Sequence, residues 1–475
     1  MNILWITTDQ QRWDTIHALG NEHIRTPNLD RLCAEGVAFT RAHCQSQICT
    51  PSRASFLTGL YPGAIHVNRN GGRYFPENER VRLITRRLAD AGYDCGLSGK
   101  LHIAAAWDGV ERRCDDGYRK FWYSHSPMQG LGKGNRYLEW LKDIGRFDEV
   151  VDLSSWNEEK QSGAKYRPDI AAELHQTAWC ADRAIEFMRE KRDAPWLMSV
   201  NIFDPHPPFD APDSYRLRYD ADALPAPLYR ESDAAHHEKL SRFFFSSTFA
   251  PPGGRQQRNK ASYYGMIELI DEQVGRMLDA LEASGQREDT MVIFMSDHGE
   301  MLGDHGLTAK GCRFYEGLVR VPLILSGPNF RQGLVSDALV ELTDIAPTIA
   351  ELAGIDLPWT HGKSLAPLLT GRGDASYHRD FVRCEYYDTL NMYAPQAPER
   401  HTSCWATMYR AGRYKLINYH GSEYGELYDL ENDPDEFDNL WEQPGCRDLR
   451  QEMTRASFDA TVVSGDPGPP RIGRF

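Results

Sequence analysis

The sequence predicts an α/β protein in which a doubly wound, mostly parallel sheet is followed by a smaller C-terminal α+β subdomain. Three observations lead there: short apolar runs that stop at polar residues, amphipathic stripes between them, and a change of character after Gly371. The run over residues 3–8 ends at Asp9-Gln10, and the run over 93–98, interrupted by Asp94, ends at Gly99-Lys100. The run over 196–203 ends at Asp204-Pro205-His206, 291–296 at Asp297-His298, and 321–325 at Ser326-Gly327. Near-continuous apolar strands are covered on both faces, as parallel sheets are. Ligands of open α/β sheets bind outside the carboxyl ends of the strands, so four of the five runs are expected to deliver ionisable side chains to one edge.

Helices are expected between the runs. Ile267, Ile270, Val274, Met277, Leu278 and Leu281 recur at 3/4 spacing ahead of residue 291 and form one apolar stripe. Ala178, Ala181, Ile185 and Met188 form a second before residue 196, with Asp182, Arg183 and Glu186 on the other faces. Alternating strand and helix argues for a doubly wound sandwich. Residues 204–258, rich in Pro, Asp and aromatics, lack periodicity and read as a long excursion over the site. A catalytic α/β domain over 1–370 and a subdomain over 371–475 follow, the latter with β-like pieces at 405–409 and 414–418, a helical stretch at 449–458 and a Gly/Pro/Arg-rich tail at 465–475.

Composition narrows the function. In 475 residues, 54 Lys and Arg face 68 Asp and Glu, a formal charge of -14, which argues against nucleic acid as a partner. Hydrophobic residues at 41% supply a large core, while mean hydropathy of -0.56 and the lack of a run of about 20 apolar residues argue against a membrane protein. The first residues lack the pattern of a secretory signal, so cytoplasmic residence is expected. The ten cysteines form no C-x-x-C pair, as expected of reduced thiols.

Asp9 and Gln10 at one strand end, with Asp297 and His298 at another, make a mostly oxygen donor set suited to a hard divalent ion. Singly, Asp9 could be a cap and His298 a packing residue; on two strands sharing an edge they point to metal. The carboxylates favour Ca2+ or Mg2+, and the imidazole admits Mn2+.

Cys49 lies in Ile48-Cys49-Thr50-Pro51-Ser52-Arg53-Ala54-Ser55-Phe56-Leu57-Thr58-Gly59. This C-x-P-S-R run followed by Leu-Thr-Gly resembles the signature of the type I sulfatases, whose cysteine is oxidised to formylglycine by a maturation enzyme that reads C-x-P-x-R. Further motifs follow in that family's order. Thr26-Pro27-Asn28-Leu29-Asp30-Arg31-Leu32 with Gly36-Val37-Ala38-Phe39 resembles its first helix and turn, and Gly99-Lys100-Leu101-His102 its G-K-x-H element. Ser296-Asp297-His298-Gly299-Glu300 is similar to its second metal motif, and Glu426-Leu427-Tyr428-Asp429-Leu430 with Asp433-Pro434 to its C-terminal signature.

The resemblance implies an alkaline-phosphatase-like fold. It also implies that Asp9, Gln10, Asp297, His298 and an oxygen of modified Cys49 hold one metal ion, Ca2+ first with Mn2+ or Mg2+ as alternatives. Arg53 would hold the modified side chain, one of whose two geminal hydroxyls attacks sulfur while the second expels sulfate. His102 would assist that breakdown, His206 and Lys310 would protonate or stabilise the leaving oxygen, and Lys100 and Asn70 would bind the anion. Two of these positions also have plainer readings, Lys310 as a solvated lysine and Asn70 as a turn residue before Gly71-Gly72.

Asp-Gln with Asp-His, in place of the Asp-Asp and Asp-Asn of many sulfatases, resembles the branch with choline sulfatases and phosphonate monoester hydrolases. The expected reaction is hydrolysis of a sulfated carbohydrate or another small organic sulfate, with a phosphonate monoester or phosphodiester as the alternative. A non-catalytic relative that keeps Cys49 as a thiol is the third reading. Trp107, Asp108, Arg112, Arg113, Asp116, Tyr123, His125, Tyr386, Tyr387, Asn391 and Tyr393 are the polar and aromatic candidates for a sugar pocket, with loop packing as the alternative. His66, Arg69 and His305 are weaker pocket candidates, and His23, His236 and His237 read as surface or capping residues. A formylglycine-generating enzyme is the implied maturation partner, and homo-oligomerisation would use the C-terminal arm.

Overall fold

The computed structural model describes residues 1–78, 81–107, 110–128, 131, 134–155, 163–387, 404–465 and 473. The strands of the main sheet are, in chain order, β1 (Asn2–Thr8), β2 (Val37–His43), β3 (Asp94–Gly99), β4 (Lys120–Tyr123), β5 (Trp196–Asn201), β6 (Thr290–Ser296), β7 (Arg320–Val321), β8 (Leu323–Ser326) and β9 (Leu334–Glu341). Their order across the sheet is β7-β2-β8-β6-β1-β5-β3-β4, with β9 beside β2. Strands β4, β3, β5, β1 and β6 are all parallel. The helices that matter here are α1 (Pro27–Ala34), α2 (Cys49–Thr58), α3 (Gln176–Arg189), α4 (Gly254–Ala283) and α5 (Arg447–Val463).

The central strands are buried on both faces, and their side chains alternate between two cores. Ile3 and Trp5 of β1, with Met291, Ile293 and Met295 of β6, face α2 and the C-terminal sheet. Leu4, Ile6, Val292 and Phe294 face α3 and α4, whose stripes Ile185, Met188, Ile270, Val274, Met277 and Leu281 lie in the same cluster. Period 2 in the strands and period 3.6 in the helices thus meet in one sandwich.

A four-stranded antiparallel sheet closes the C-terminal part, in the order β10 (Phe381–Tyr387), β11 (Trp405–Ala411), β12 (Tyr414–Tyr419) and β13 (Glu426–Asp429). Cys384, Tyr386, Met408 and Ile417 join the main core, while Tyr409, Leu416 and Leu427 pack on α5 through Met453 and Ala460. Lys415 is fully buried, with Nζ 2.8 Å from Phe314 O and 3.0 Å from Glu316 Oε1.

Several expectations need correction. The run over 321–325 is two strands, because Pro322 has no N–H for a ladder, and β8 runs antiparallel to β6 and β2. Ser326 consequently sits beside Val292, near the start of β6, and the fifth run ends at the opposite edge. The irregular excursion stops at Gly253, since α4 begins at Gly254 with Gln256 and Lys260 on its buried side; polar residues there hid its first turns from an apolar-stripe reading. His236 and His237 are not free surface residues: His236 lies 2.8 Å from Tyr424 Oη and 2.7 Å from Glu426 Oε1, and His237 Nε2 lies 2.9 Å from His305 O. Asp108, Asn391, Tyr393 and all of the 465–475 tail except Gly465 and Gly473 lie outside the described residues. Among the described residues no helix is long and apolar enough to cross a membrane.

Candidate active site

Register builds the site. Thr8 pairs with Ser296 across β1 and β6, so Asp9 and Asp297 leave the sheet side by side. The Gln10 N–H donates to Asp297 Oδ1 at 3.0 Å, and Tyr263 of α4 donates its hydroxyl to Gln10 O at 2.6 Å. Asp9, Gln10, Asp297 and His298 are all fully buried.

Cys49 is the first residue of α2, so its side chain stands at the helix N-terminus, where the unsatisfied N–H groups favour negative charge. Its Sγ lies 3.6 Å from Asp9 Oδ1 and 3.2 Å from His298 Nε2. One turn on, Arg53 returns to the same place: Nε donates to Asp297 Oδ2 at 2.8 Å, one terminal nitrogen to Asp9 Oδ2 at 3.1 Å, the other to Lys100 O at 3.1 Å. Arg53 therefore ties the helix that carries Cys49 to both carboxylates.

Cations close the site from above. Gly99, at φ +97° and with a would-be Cβ 2.0 Å from Asn201 O, allows β3 to turn so that Lys100 Nζ reaches Asp9 Oδ2 at 2.5 Å. Lys310 Nζ donates to Cys49 Sγ at 2.8 Å and lies 3.2 Å from His298 Nε2. The Asn70 carbonyl accepts from Thr50 N–H at 3.0 Å, which leaves its NH2 as the unspent donor. Lys100, His102, His206, Lys310, Asn70 and Cys49 share a cleft of about 490 Å³ with His125 and Phe203.

Charge sets the protonation states. Burial raises the Asp9 carboxyl, but Lys100, Arg53 and Lys310 outweigh it and hold it well below its ordinary value. Burial lowers Lys310, but Cys49 and Asp9 more than reverse this, so it stays charged. Burial and the nearby lysines hold His102 and His206 well below the ordinary imidazole value, and both are neutral at pH 7. His206 Nδ1 is 2.7 Å from Pro207 O, so Nδ1 carries the proton and Nε2 is a lone pair. His102, at φ +55°, is held by Glu111, whose carboxylate accepts from the N–H groups of His102, Ile103 and Ala104 at 2.6, 2.6 and 2.8 Å. Its Nδ1 is buried without a partner.

The donor set fits a divalent ion. One ligand atom each from Asp9, Cys49, Asp297 and His298 lie within 4.8 Å of one another. His298 Nδ1 sits 2.9 Å from Gly299 O, which fixes the tautomer with Nε2 unprotonated and facing the cluster, as metal-bound histidines are fixed. Gln10 Oε1 is buried and accepts nothing, as expected of an oxygen reserved for a cation.

Sheet, strand-end carboxylates and the cysteine at a helix start together define a hydrolase of the alkaline-phosphatase-like class. A family model described as Sulfatase matches residues 1–355, and one described as N-sulphoglucosamine sulphohydrolase, C-terminal, matches 303–460. The chain belongs to the sulfatase family, enzymes of sulfuric ester hydrolysis. It is 30% identical to an arylsulfatase of Clostridium perfringens over 92% of this chain and 90% of that one. It is also 30% identical to the multifunctional alkaline phosphatase superfamily protein PehA of Trinickia caryophylli, over 98% and 96%. The crystal structure of a phosphonate monoester hydrolase of Agrobacterium radiobacter superposes with a TM-score of 0.82 at 27% identity, covering 98% of this chain and 96% of that one.

The expected pocket residues fare unevenly. His125 lines the cleft, its ring 4.3 Å from that of His102. Tyr123 and Tyr386 are core residues, and Arg113 spends its guanidinium on Asp116. His305 is stacked on Tyr315, outside the cleft. Sequence reasoning gave no role to Glu111 or Glu300, both fully or nearly fully buried beside the site. Glu300 had a signal, a second carboxylate three residues after Asp297; Glu111 had none.

Proposed function

We propose that the protein hydrolyses sulfate monoesters of a carbohydrate or another small alcohol, using formylglycine made from Cys49 and one divalent metal ion, calcium first. The observation that carries this reading is the convergence of Cys49 Sγ with Asp9, Asp297 and His298 at the floor of a cationic cleft. Cys49 Sγ stands here for the attacking oxygen of the modified side chain. Asp9, Gln10, Asp297 and His298 would hold the metal, which supplies charge to polarise the sulfuryl oxygens. A hydrated aldehyde at position 49 would supply one hydroxyl for the attack and a second whose deprotonation re-forms the aldehyde and releases sulfate.

The chain's own residues do the rest. Lys310, charged and 2.8 Å from Sγ, lies where negative charge develops. Lys100 adds a second ammonium, and the Asn70 NH2 a neutral donor. His102, neutral and lining the cleft, suits the base that takes a hydroxyl proton. A bound sulfate brings negative charge against the lysines that keep His206 neutral, and so favours a proton on His206 Nε2 for the leaving oxygen. The assignment of 1–370 as catalytic domain and 371–475 as subdomain belongs to the same proposal, supported by the two separate sheets.

Residues Cys49 to Thr58 are all buried, so a formylglycine-generating enzyme would have to read Cys49 to Arg53 before the chain folds. Among the described residues, which include all ten cysteines, no disulfide is present, which favours a reducing, cytoplasmic setting. Replacing Cys49 with Ala should abolish hydrolysis while circular dichroism stays unchanged. Full activity in Cys49→Ala would sink the mechanism.

A further inference from the structure

Gln10 carries an amide where the neighbouring donors are carboxylates, and an amide has two different ends. Only its oxygen can face a cation; its NH2 must be disposed of elsewhere. In the structure the NH2 donates to Glu300 Oε2. Glu300 is fully buried, and its other oxygen accepts from the Leu302 N–H at 3.0 Å and from the Ala309 N–H. The two backbone N–H groups occupy one oxygen of Glu300, and the Gln10 NH2 occupies the other. The amide is therefore held with nitrogen on Glu300 and with Oε1 buried and unpartnered, on a residue that follows Asp9 and whose backbone N–H donates to Asp297 Oδ1.

We propose that Glu300 is the positioning residue that turns the Gln10 carbonyl oxygen onto the metal ion, and that it sets the loop carrying Lys310 in the same act. The inference rests on the metal reading above. Leu302 and Ala309 both have positive φ, 50° and 65°, a backbone that side chains seldom adopt, and Glu300 accepts the N–H of each. One buried carboxylate thus joins the amide at the floor of the site to the two ends of the loop that leads to Lys310.

The proposal makes an orientational prediction that a merely structural role does not. In Glu300→Gln, the new amide keeps its carbonyl on the Leu302 and Ala309 N–H groups and must turn its NH2 towards residue 10. Gln10 then flips to accept that NH2 and presents nitrogen to the ion. The double variant Gln10→Glu with Glu300→Gln restores the pairing with donor and acceptor exchanged, since a carboxylate at position 10 accepts from the amide at 300 and still has an oxygen for the metal.

The test is calorimetric titration of Ca2+, and separately Mn2+, into metal-stripped wild type and the two variants, with apoprotein melting as the fold control. Glu300→Gln should weaken uptake about 10- to 100-fold, the range for outer partners of metal ligands, and the double variant should recover most of it. Wild-type affinity in Glu300→Gln overturns the assignment to Glu300 alone, and so does an equal loss in single and double variants. Lack of saturable uptake by wild type overturns the metal reading with it.

Discussion

Lys310→Met removes one charge and keeps the aliphatic stem. Its ammonium lies 2.8 Å from Cys49 Sγ and 3.2 Å from His298 Nε2, and the carboxylates of Asp9 and Asp297 favour its charged form against burial. Two unit charges about 4 Å apart at an effective dielectric of about 20 interact by roughly 4 kcal/mol. Removing one preorganised donor from a developing oxyanion costs about 3 to 4 kcal/mol, or about 10²- to 10³-fold in rate. The two routes agree, so kcat/KM for an aryl sulfate should fall by about 10²- to 10³-fold. The assay is a series of aryl sulfates with leaving phenols of graded acidity, on enzyme whose Cys49 conversion is matched by mass spectrometry. Because a cation beside the leaving oxygen matters most when the phenol is poor, the loss should grow as the leaving group becomes more basic. A loss under about tenfold across the series would refute the placement of Lys310 at the developing charge.

Three further outcomes follow from the same geometry. His102, the proposed base, is held low by burial and Lys100, so the acid limb of kcat/KM, which reports the free enzyme, should lie below the ordinary imidazole value of about 6.5; a limb at or above it contradicts this state. His298 behaves oppositely: burial and Lys310 lower it, but Asp297 and Cys49 prevail and raise it, so its proton competes with the metal and Ca2+ affinity should weaken as the pH falls. Gly99→Ala would drive a Cβ to 2.0 Å from Asn201 O at a positive φ, so chemical denaturation should show a loss of at least about 2 kcal/mol, and an unchanged midpoint would contradict the turn that places Lys100.

Much of this site is legible in the sequence because it is built from strand ends. An apolar run that stops at Asp9-Gln10 or Asp297-His298 announces both a buried strand and the residues it delivers, and parallel pairing then brings the ends together. The stripes of α3 and α4 were equally plain. What stayed hidden depends on contacts rather than on pattern. Strands β2 and β9 have half-exposed positions that weaken an apolar-run signal. The reversal of β8 follows from Pro322 and from pairing partners far away in the chain. Tyr123 and Tyr386 look like pocket aromatics because composition cannot distinguish a ring that stacks on substrate from one that fills a core. Glu111 and Glu300 act on backbone N–H groups, and a carboxylate that serves a neighbouring turn leaves no mark in sequence spacing.

The most direct measurement of the central claim is kcat/KM for an aryl sulfate against the matching aryl phosphonate. It uses protein produced together with a formylglycine-generating enzyme, with Cys49→Ala as blank. The ratio reports differential transition-state binding and does not depend on the fraction of Cys49 converted. A clear preference for the sulfate is expected. A clear preference for the phosphonate would contradict it and assign the site to phosphorus ester hydrolysis.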